Sequence, residues 1–476
     1  MPIQIKCAVI YIFSSILIRG VSLITTPLFT RLMSTSDMGS VTAFSSWQSI
    51  LATIVTLSLS SGSFSVAMIE YKDRRDEYIS SIMTLSSVSA SIFFCIYLLF
   101  RSKFNLIFNL DFSLMVLMCL GFLLSPATTY WLLRQRFEYK YKNVMVVTFL
   151  STILSTILSI IAVLYAKNYG VQNLGNVRLY GINIPSFAVS LVIFYKILKK
   201  GKVFYNKYYW RFALSLSLPL VIHSLSKHIL DVSDRIMIDK FLGKSELGIY
   251  GVLYTISSLS IIFWSAINSS LIPVTFEKLK NKEFDRINEL MVPIIMVYAI
   301  GCAILSLFSP EIVKILATEE YYSAIYLMPP IAAGIFLTSI YTIYGNILTF
   351  YKKTTSIMIS TFLAAGINIL LNNYYIPKYG AIAASYTTLI AYIFLTIFQM
   401  IAVKKVQNNT IINGKFLQIM ILGTILWALG CNFLYQKIEF RIVIIIFIIL
   451  LCIIKRTVIA KNIKLLFIKR RENEKF

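Results

Sequence analysis

Charge is scarce in this 476-residue chain: only 14% of its residues are Asp, Glu, Lys or Arg, and the 21 acids are outnumbered by 45 bases. A soluble globular surface draws on roughly a quarter charged residues, so the string of soluble domains that the length alone suggests is excluded. Histidine is almost missing. His223 and His228 are the two copies, and five residues apart they lie about 140° from each other on a helix, which argues against a two-histidine metal site. The six cysteines (Cys7, Cys95, Cys119, Cys302, Cys431 and Cys452) stand inside apolar runs without a C-x-x-C pair or metal-ligand spacing, and read as small hydrophobes. No G-x-x-x-x-G-K-[ST] phosphate loop occurs, which removes the simplest case for ATP-driven transport. No cofactor and no metal are implied.

Apolar residues fill the space that charge leaves. They make up 58% of the chain, mean hydropathy is +0.76, and they arrive in runs of about 20, the length that crosses hydrocarbon as a helix. Lipid offers backbone N–H and C=O groups no partner, so such runs must be helices. The alternation of a barrel strand is absent. The fold class is therefore all-α, a polytopic membrane protein with about fourteen spans, among them 7–30, 41–68, 212–238, 247–272 and 440–455. The first run passes from Lys6 through Arg19 to Phe29 with no small-residue cleavage site, and is expected to be a retained helix rather than a signal peptide.

Cytoplasmic connections carry the excess of Lys and Arg. Alternate connections here hold 31 and 11 of them, and Arg19, Lys227 and Arg235 fall within spans. Both termini are thus expected inside the cytoplasm. The net charge of +24 is spread over many inner loops and the tail from Lys461 to Lys475, which fits an anionic inner-leaflet surface and not nucleic acid.

A shift of 209 residues lays Arg31-Leu-Met-Ser-Thr-Ser-Asp-Met-Gly39 over Lys240-Phe-Leu-Gly-Lys-Ser-Glu-Leu-Gly248, with basic, apolar, Ser, acidic and Gly positions in the same order. Each copy follows the first span of a six-span set. Parallel repeats about an axis along the membrane normal are then expected: a lobe of six spans over 1–205, a second over 206–405, and two additional spans with a basic tail over 406–476.

Ionisable groups inside spans are costly and mark pathways. The seventh span places His223, Lys227, Asp231, Asp234 and Arg235 at offsets 0, 4, 8, 11 and 12, within an arc of about 120° at 100° per residue. Arg19 adds a cation to the corresponding span of the other lobe. Cations from both lobes can hold a diphosphate, which assigns Arg19, Lys227, Arg235 and His223 to substrate and Asp231 and Asp234 to ion coupling or charge balance. A ladder of salt bridges along the helix is the competing reading, with Asp239 a further member. Asn268, Asn368 and Asn372 are candidates for a polar lumen, whereas Ser58, Ser60, Ser61, Ser63 and Ser65 around Gly62 read as close helix packing.

Several stretches carry a family likeness: Thr26-Pro-Leu-Phe-Thr-Arg-Leu-Met33 with Asp37-Met-Gly39; Asp234-Arg-Ile-Met-Ile238 with Glu246-Leu-Gly-Ile-Tyr250; Ile376-Pro-Lys-Tyr-Gly-Ala-Ile-Ala-Ala384; and Arg134-Gln-Arg-Phe-Glu-Tyr-Lys140. Together, in this order, they resemble the Wzx-type polysaccharide flippases of the multidrug/oligosaccharidyl-lipid/polysaccharide exporter superfamily. Ala383 stands where that family usually has Gly. The resemblance implies two six-helix, MATE-like lobes that open alternately inward and outward and move undecaprenyl-diphosphate-linked O-antigen or capsular repeat units across the bacterial inner membrane, with ion coupling. It implies membrane lipids, a polysaccharide polymerase and a chain-length regulator as partners, and no enzyme activity. A drug or cation exporter or a lipid II flippase of the same fold is the alternative. A membrane O-antigen polymerase or ligase fits less well, because every outer connection is short and none gathers a catalytic set.

Overall fold

In the computed structural model residues 20–407 and 411–454 are described. They contain helices and turns and no strand. A helix over residues 20–32 (α1) leads into α2 (Thr35–Val55), the short α3 (Phe64–Glu70), α4 (Arg75–Leu99), α5 (Arg101–Phe108), α6 (Phe112–Phe137), α7 (Tyr141–Asn168) and α8 (Leu174–Gly201). Next come α9 (Lys207–Leu242), α10 (Lys244–Ser257), α11 (Leu259–Lys280), α12 (Phe284–Leu307) and α13 (Ser309–Leu316). After a 3-10 segment (Glu319–Leu327) the chain ends with α14 (Met328–Phe350), α15 (Thr354–Tyr379), α16 (Ala381–Gln407), α17 (Gly414–Gln436) and α18 (Ile438–Ile454).

Eleven of these segments are long and apolar enough to cross a membrane, so the all-α, multi-pass expectation holds. The other three expected spans are explained by their residues: α1 is described only from residue 20, α2 is rich in hydroxyls, and α18 has 17 described residues. Helix starts are set by polar caps where the chain leaves the membrane. Ser34 and Asp37 form a reciprocal capping box on α2, Asp111 accepts from Leu114 N–H at the head of α6, and Asn206 does the same for α9, each satisfying donors that a helix leaves open. Gly243 (φ +89°) and Gly380 (φ +73°) turn the chain between α9 and α10 and between α15 and α16, where an L side chain would be strained.

The second span departs from expectation. Residues 41–68 read as one helix, but the helix stops at Val55 and resumes at Phe64. Leu57 and Ser58 adopt left-handed backbone, φ +55° and +48°, at a cost of order 1 kcal/mol each. Hydroxyls redirect the local bonding: Ser58 Oγ donates to the Thr53 carbonyl at 3.3 Å, and Ser63 N–H donates to Ser217 Oγ of α9 at 3.2 Å. The close packing read from the serines is also present, since a Cβ on Gly62 would sit 2.8 Å from Ser217 Cα.

Contacts divide the chain into two compact units, Met1–Gly251 and Val252–Phe476. In the first, Leu59, Phe64, Tyr78, Ile82, Tyr130 and Tyr209 form a buried core at the end that the charge asymmetry assigns to the cytoplasm. Four helices are tied there. Arg134 pairs with Asp76, Lys200 reaches the same carboxylate at 3.1 Å, Arg134 binds Glu138 at 2.7 Å, and Tyr209 donates to Glu77 at 3.2 Å. In the second unit α14 is the buried centre, packed by α16, α17, α12 and α11. The additional helices are fastened to it: Tyr435 of α17 donates to the Ser306 carbonyl at 2.5 Å, and buried Arg441 of α18 pairs with Glu311 of α13.

Candidate functional site

The two repeat copies meet. Inside the first unit, a Cβ on Gly39 would fall 1.8 Å from the Lys244 carbonyl oxygen, and one on Gly248 would fall 1.9 Å from that of Thr35. Under the 209-residue shift Thr35 corresponds to Lys244 and Gly39 to Gly248, so the Gly39–Lys244 and Gly248–Thr35 contacts are counterparts of each other. Thr42 and Gly251, also counterparts, face each other, with Thr42 Oγ1 2.5 Å from where a Gly251 Cβ would be. Reciprocal contacts of this kind define a local two-fold axis. Only glycine lets backbones approach this closely, and a Thr35–Ser245 hydroxyl bond of 2.7 Å closes the crossing.

The charges of α9 divide around that crossing. Asp234 is 1% exposed and accepts a hydrogen bond from the Tyr250 hydroxyl of α10, so the two halves of one family motif bind each other. Asp239, 5% exposed, accepts from Lys244 Nζ at 2.6 Å and from Asn109 Nδ2 at 3.2 Å. His223, Asp231 and Arg235 are half-buried and Lys227 is exposed. Arg19 lies outside the described residues. Asp234 and Asp239 are thus helix-to-helix ties; Tyr250 stands in the family motif without its pairing being legible, and Asn109, 130 residues from Asp239, carried no sequence signal.

The asparagines fall within the second unit. Asn346 donates to Asn268 at 2.8 Å, joining α14 to α11. Asn368 and Asn372, both fully buried, bond each other at 2.9 Å and reach Thr388 and Thr387 of α16. They are brought together, but in contacts between packed helices.

Described residues of the first unit line two open cavities. One, of about 250 Å³, lies between α2 and α6 and is lined by Gln48, Thr56, Ser60, Ser125 and Thr129, beside the helix break and Pro126. The other, of about 300 Å³, lies among α1, α7 and α8. Ser151, Thr152, Ser155, Thr156 and Ser159 of α7 line it, with Arg178, Ile182 and Ser186 of α8. Arg178 lies over the Phe29 ring, 3.8 Å from its centroid, with Nη1 3.1 Å from Met38 Sδ. The i, i+1, i+4, i+5, i+8 spacing of those hydroxyls puts them on one face of a helix, whereas Arg178, near the start of α8, belongs to no such pattern.

A two-fold crossing, polar cavities inside membrane-length helices and buried charge ties describe a membrane transport scaffold rather than a packed structural bundle. The model of the family described as polysaccharide biosynthesis protein matches residues 5–278, and the chain belongs to that family. The MatE model matches residues 219–374. Among curated relatives, the "probable low-salt glycan biosynthesis flippase Agl15" of Haloferax volcanii is 23% identical over 36% of this chain and 37% of its own length. The chain spans about half or less of the length of the curated relatives it matches. Among solved structures, the lipid II flippase MurJ in an inward closed conformation superposes with a TM-score of 0.65 at 18% identity, covering 96% of this chain and all of that one. An inward-facing multidrug resistance MATE family transporter of the MOP superfamily gives a TM-score of 0.61 at 12% identity over 82% and 96% of the two chains. The resemblance to polysaccharide flippases of this superfamily is borne out in family and fold.

Proposed function

We propose that the chain is a flippase that carries undecaprenyl-diphosphate-linked oligosaccharide repeat units across the inner membrane by alternating access of two six-helix lobes, 1–205 and 206–405, with the spans of 406–476 as an appendage to the second. The reciprocal Gly39 and Gly248 crossing supports this reading above all. Two like lobes that touch about a two-fold axis can rock about that contact, closing one membrane face as the other opens. Family membership, a relative named as a glycan flippase and the MurJ-like fold point to a lipid-linked glycan as cargo. Arg19, Lys227, Arg235 and His223 are assigned to the diphosphate, and Asp231 to ion coupling. Asp234, sealed against Tyr250, serves as a charge partner that fixes α9 to α10. Orientation with both termini in the cytoplasm follows the charge asymmetry, and a polymerase and a chain-length regulator are the expected partners of the export step.

Purified protein in liposomes tests the proposal. Defined diphosphate-linked glycans should cross under an imposed proton or Na⁺ gradient, and drug cations should not; the opposite pattern would identify a drug exporter. Thr35→Cys with Ser245→Cys, in a chain whose six native cysteines are replaced, should form a disulfide that stops translocation when oxidised and releases it when reduced. Undiminished transport in the cross-linked protein would refute rocking about this contact.

A further inference from the structure

Where α8 gives way to α9, the chain carries Lys196, Lys199, Lys200, Lys202, Lys207 and Arg211, and it has no Asp or Glu at all between Glu138 and Asp231. All six cations are exposed. Lys200 shares Asp76 with Arg134, and the other five make no ion pair among the described residues. Basic connections elsewhere are balanced by nearby acids: Arg134 and Lys140 converge on Glu138, and Lys278 and Arg286 on Glu283. A second observation separates the α8–α9 connection from an ordinary solvated one. Phe204, Tyr205 and Tyr208 interleave with its lysines and are 58%, 63% and 81% exposed, an apolar surface that water does not favour. The segment is firmly built: Asn206 caps α9 by accepting from the Tyr208 and Tyr209 N–H groups, the Tyr205 ring meets that of Trp210 edge-on at 4.9 Å, and Trp210 Nε1 donates to the Ser81 carbonyl and hydroxyl at 3.1 Å.

The position of the stretch selects its partner. The 28 residues of α8 make about 42 Å of helix, the thickness of a bilayer with both headgroup layers, which sets Lys199 and Lys200 at the level of the phosphates. Aromatic rings settle at the boundary between headgroups and acyl chains, and lysines beside them reach the phosphates. We infer that the α8–α9 connection is a docking surface for anionic phospholipid, with Phe204, Tyr205 and Tyr208 seated at that boundary and Lys196, Lys199, Lys202 and Lys207 on the lipid phosphates. The inference goes beyond the cargo reading and does not depend on it, since it needs only that α8 and α9 cross a membrane. The docked lipid pins the head of α9, where Tyr209 and Trp210 bind Glu77 and Ser81 of α4.

An environment-sensitive fluorophore tests it. Tyr208→Cys, in the full-length chain with its six native cysteines replaced, is labelled and reconstituted into vesicles of phosphatidylcholine alone or with about one-third phosphatidylglycerol. With phosphatidylglycerol the emission should shift to the blue and be quenched by a phospholipid spin-labelled near its headgroup; with phosphatidylcholine alone the probe should stay aqueous. Salt at about 1 M, where the Debye length is about 3 Å, should reverse the shift. Each lysine's share is about fivefold in the docking equilibrium, so Lys199→Gln, Lys202→Gln and Lys207→Gln together should abolish the response, whereas Lys352→Gln, Lys353→Gln and Lys405→Gln together should leave it intact. Should the first triple variant fail to fold, lipid composition and salt on the unsubstituted lysines decide alone. A probe that stays aqueous in both membranes, as expected if an acidic protein covers the surface, overturns the inference. So does equal burial in both membranes, or an equal loss from the two triple variants.

Discussion

The first unit keeps polar side chains around open space, and the second closes them on each other. Chemistry accounts for the difference. Ser and Thr hydroxyls return a bond to their own helix, as Thr25 does to the Val21 carbonyl at 2.9 Å and Ser186 to that of Ile182 at 3.1 Å, and still offer lone pairs to a cavity. An Asn amide has more bonding capacity than its own helix turn can satisfy. In the second unit it finds partners across helices, in the Asn346–Asn268 pair and the Asn368, Asn372, Thr387 and Thr388 set. Polar content within spans therefore does not by itself mark a lumen. Which polar group it is decides whether the space stays open.

The comparison breaks first at Asn372. Asn372→Ala empties a fully buried site and removes the bonds to Asn368 and Thr387, although Asn368 keeps Thr388 and Thr387 keeps the Ala383 and Ala384 carbonyls; a loss of about 2 kcal/mol is expected from the broken hydrogen bonds and the cavity together. Thermal unfolding of the purified protein in detergent should register it clearly. Stability equal to that of the unsubstituted chain would mean that the second unit's polar set is as loosely bound as the first unit's.

Ser155→Ala, on the α7 face, sharpens the contrast. Its bond to Ser186 is lost, but Ser186 retains the Ile182 carbonyl, so a cost of about 0.5 kcal/mol is expected. A cost matching that of Asn372→Ala would show that the hydroxyl wall is a structural seam.

What could be read from the chain follows the same division. Span positions were legible because lipid forces every long apolar run into a helix, and the 209-residue repeat was legible in residue types alone. That the two copies meet through equivalent glycine contacts was not, because a contact between Gly39 and Lys244 is a property of two helices crossing. The arc of α9 charges was correctly placed on one helix, yet periodicity gives direction and not depth: Asp234 turns out sealed by Tyr250, while Lys227, seven residues earlier, is exposed. The break at Leu57 lay under an apolar average that hides local hydroxyl bonding.

The smallest expected effect concerns the ion pairs at the helix ends of each unit. Burial alone would raise the Glu138 carboxyl, but hydrogen bonds from Lys140 and Arg134, with their charges, hold it below the usual carboxylate value. Through Arg134 it belongs to the set that ties α4, α6 and α8. In the second unit Glu283 is also held low, first by Lys278 and then by Arg286, but those pairs span five and three residues of one connection. A carboxyl lowered on folding contributes stability above its unfolded value and loses it as pH falls through its folded value. Acidification from neutral into that range should thus remove a contribution of about 0.3 kcal/mol at Glu138, the scale of a partly exposed pair. Glu138→Gln should flatten the acid limb of the unfolding midpoint measured against pH, and Glu283→Gln should flatten it less, because Lys278 and Arg286 hold that carboxyl only across the short turn from α11 to α12. Equal responses from the two variants would show that the interhelical set in the first unit braces nothing beyond its own turn.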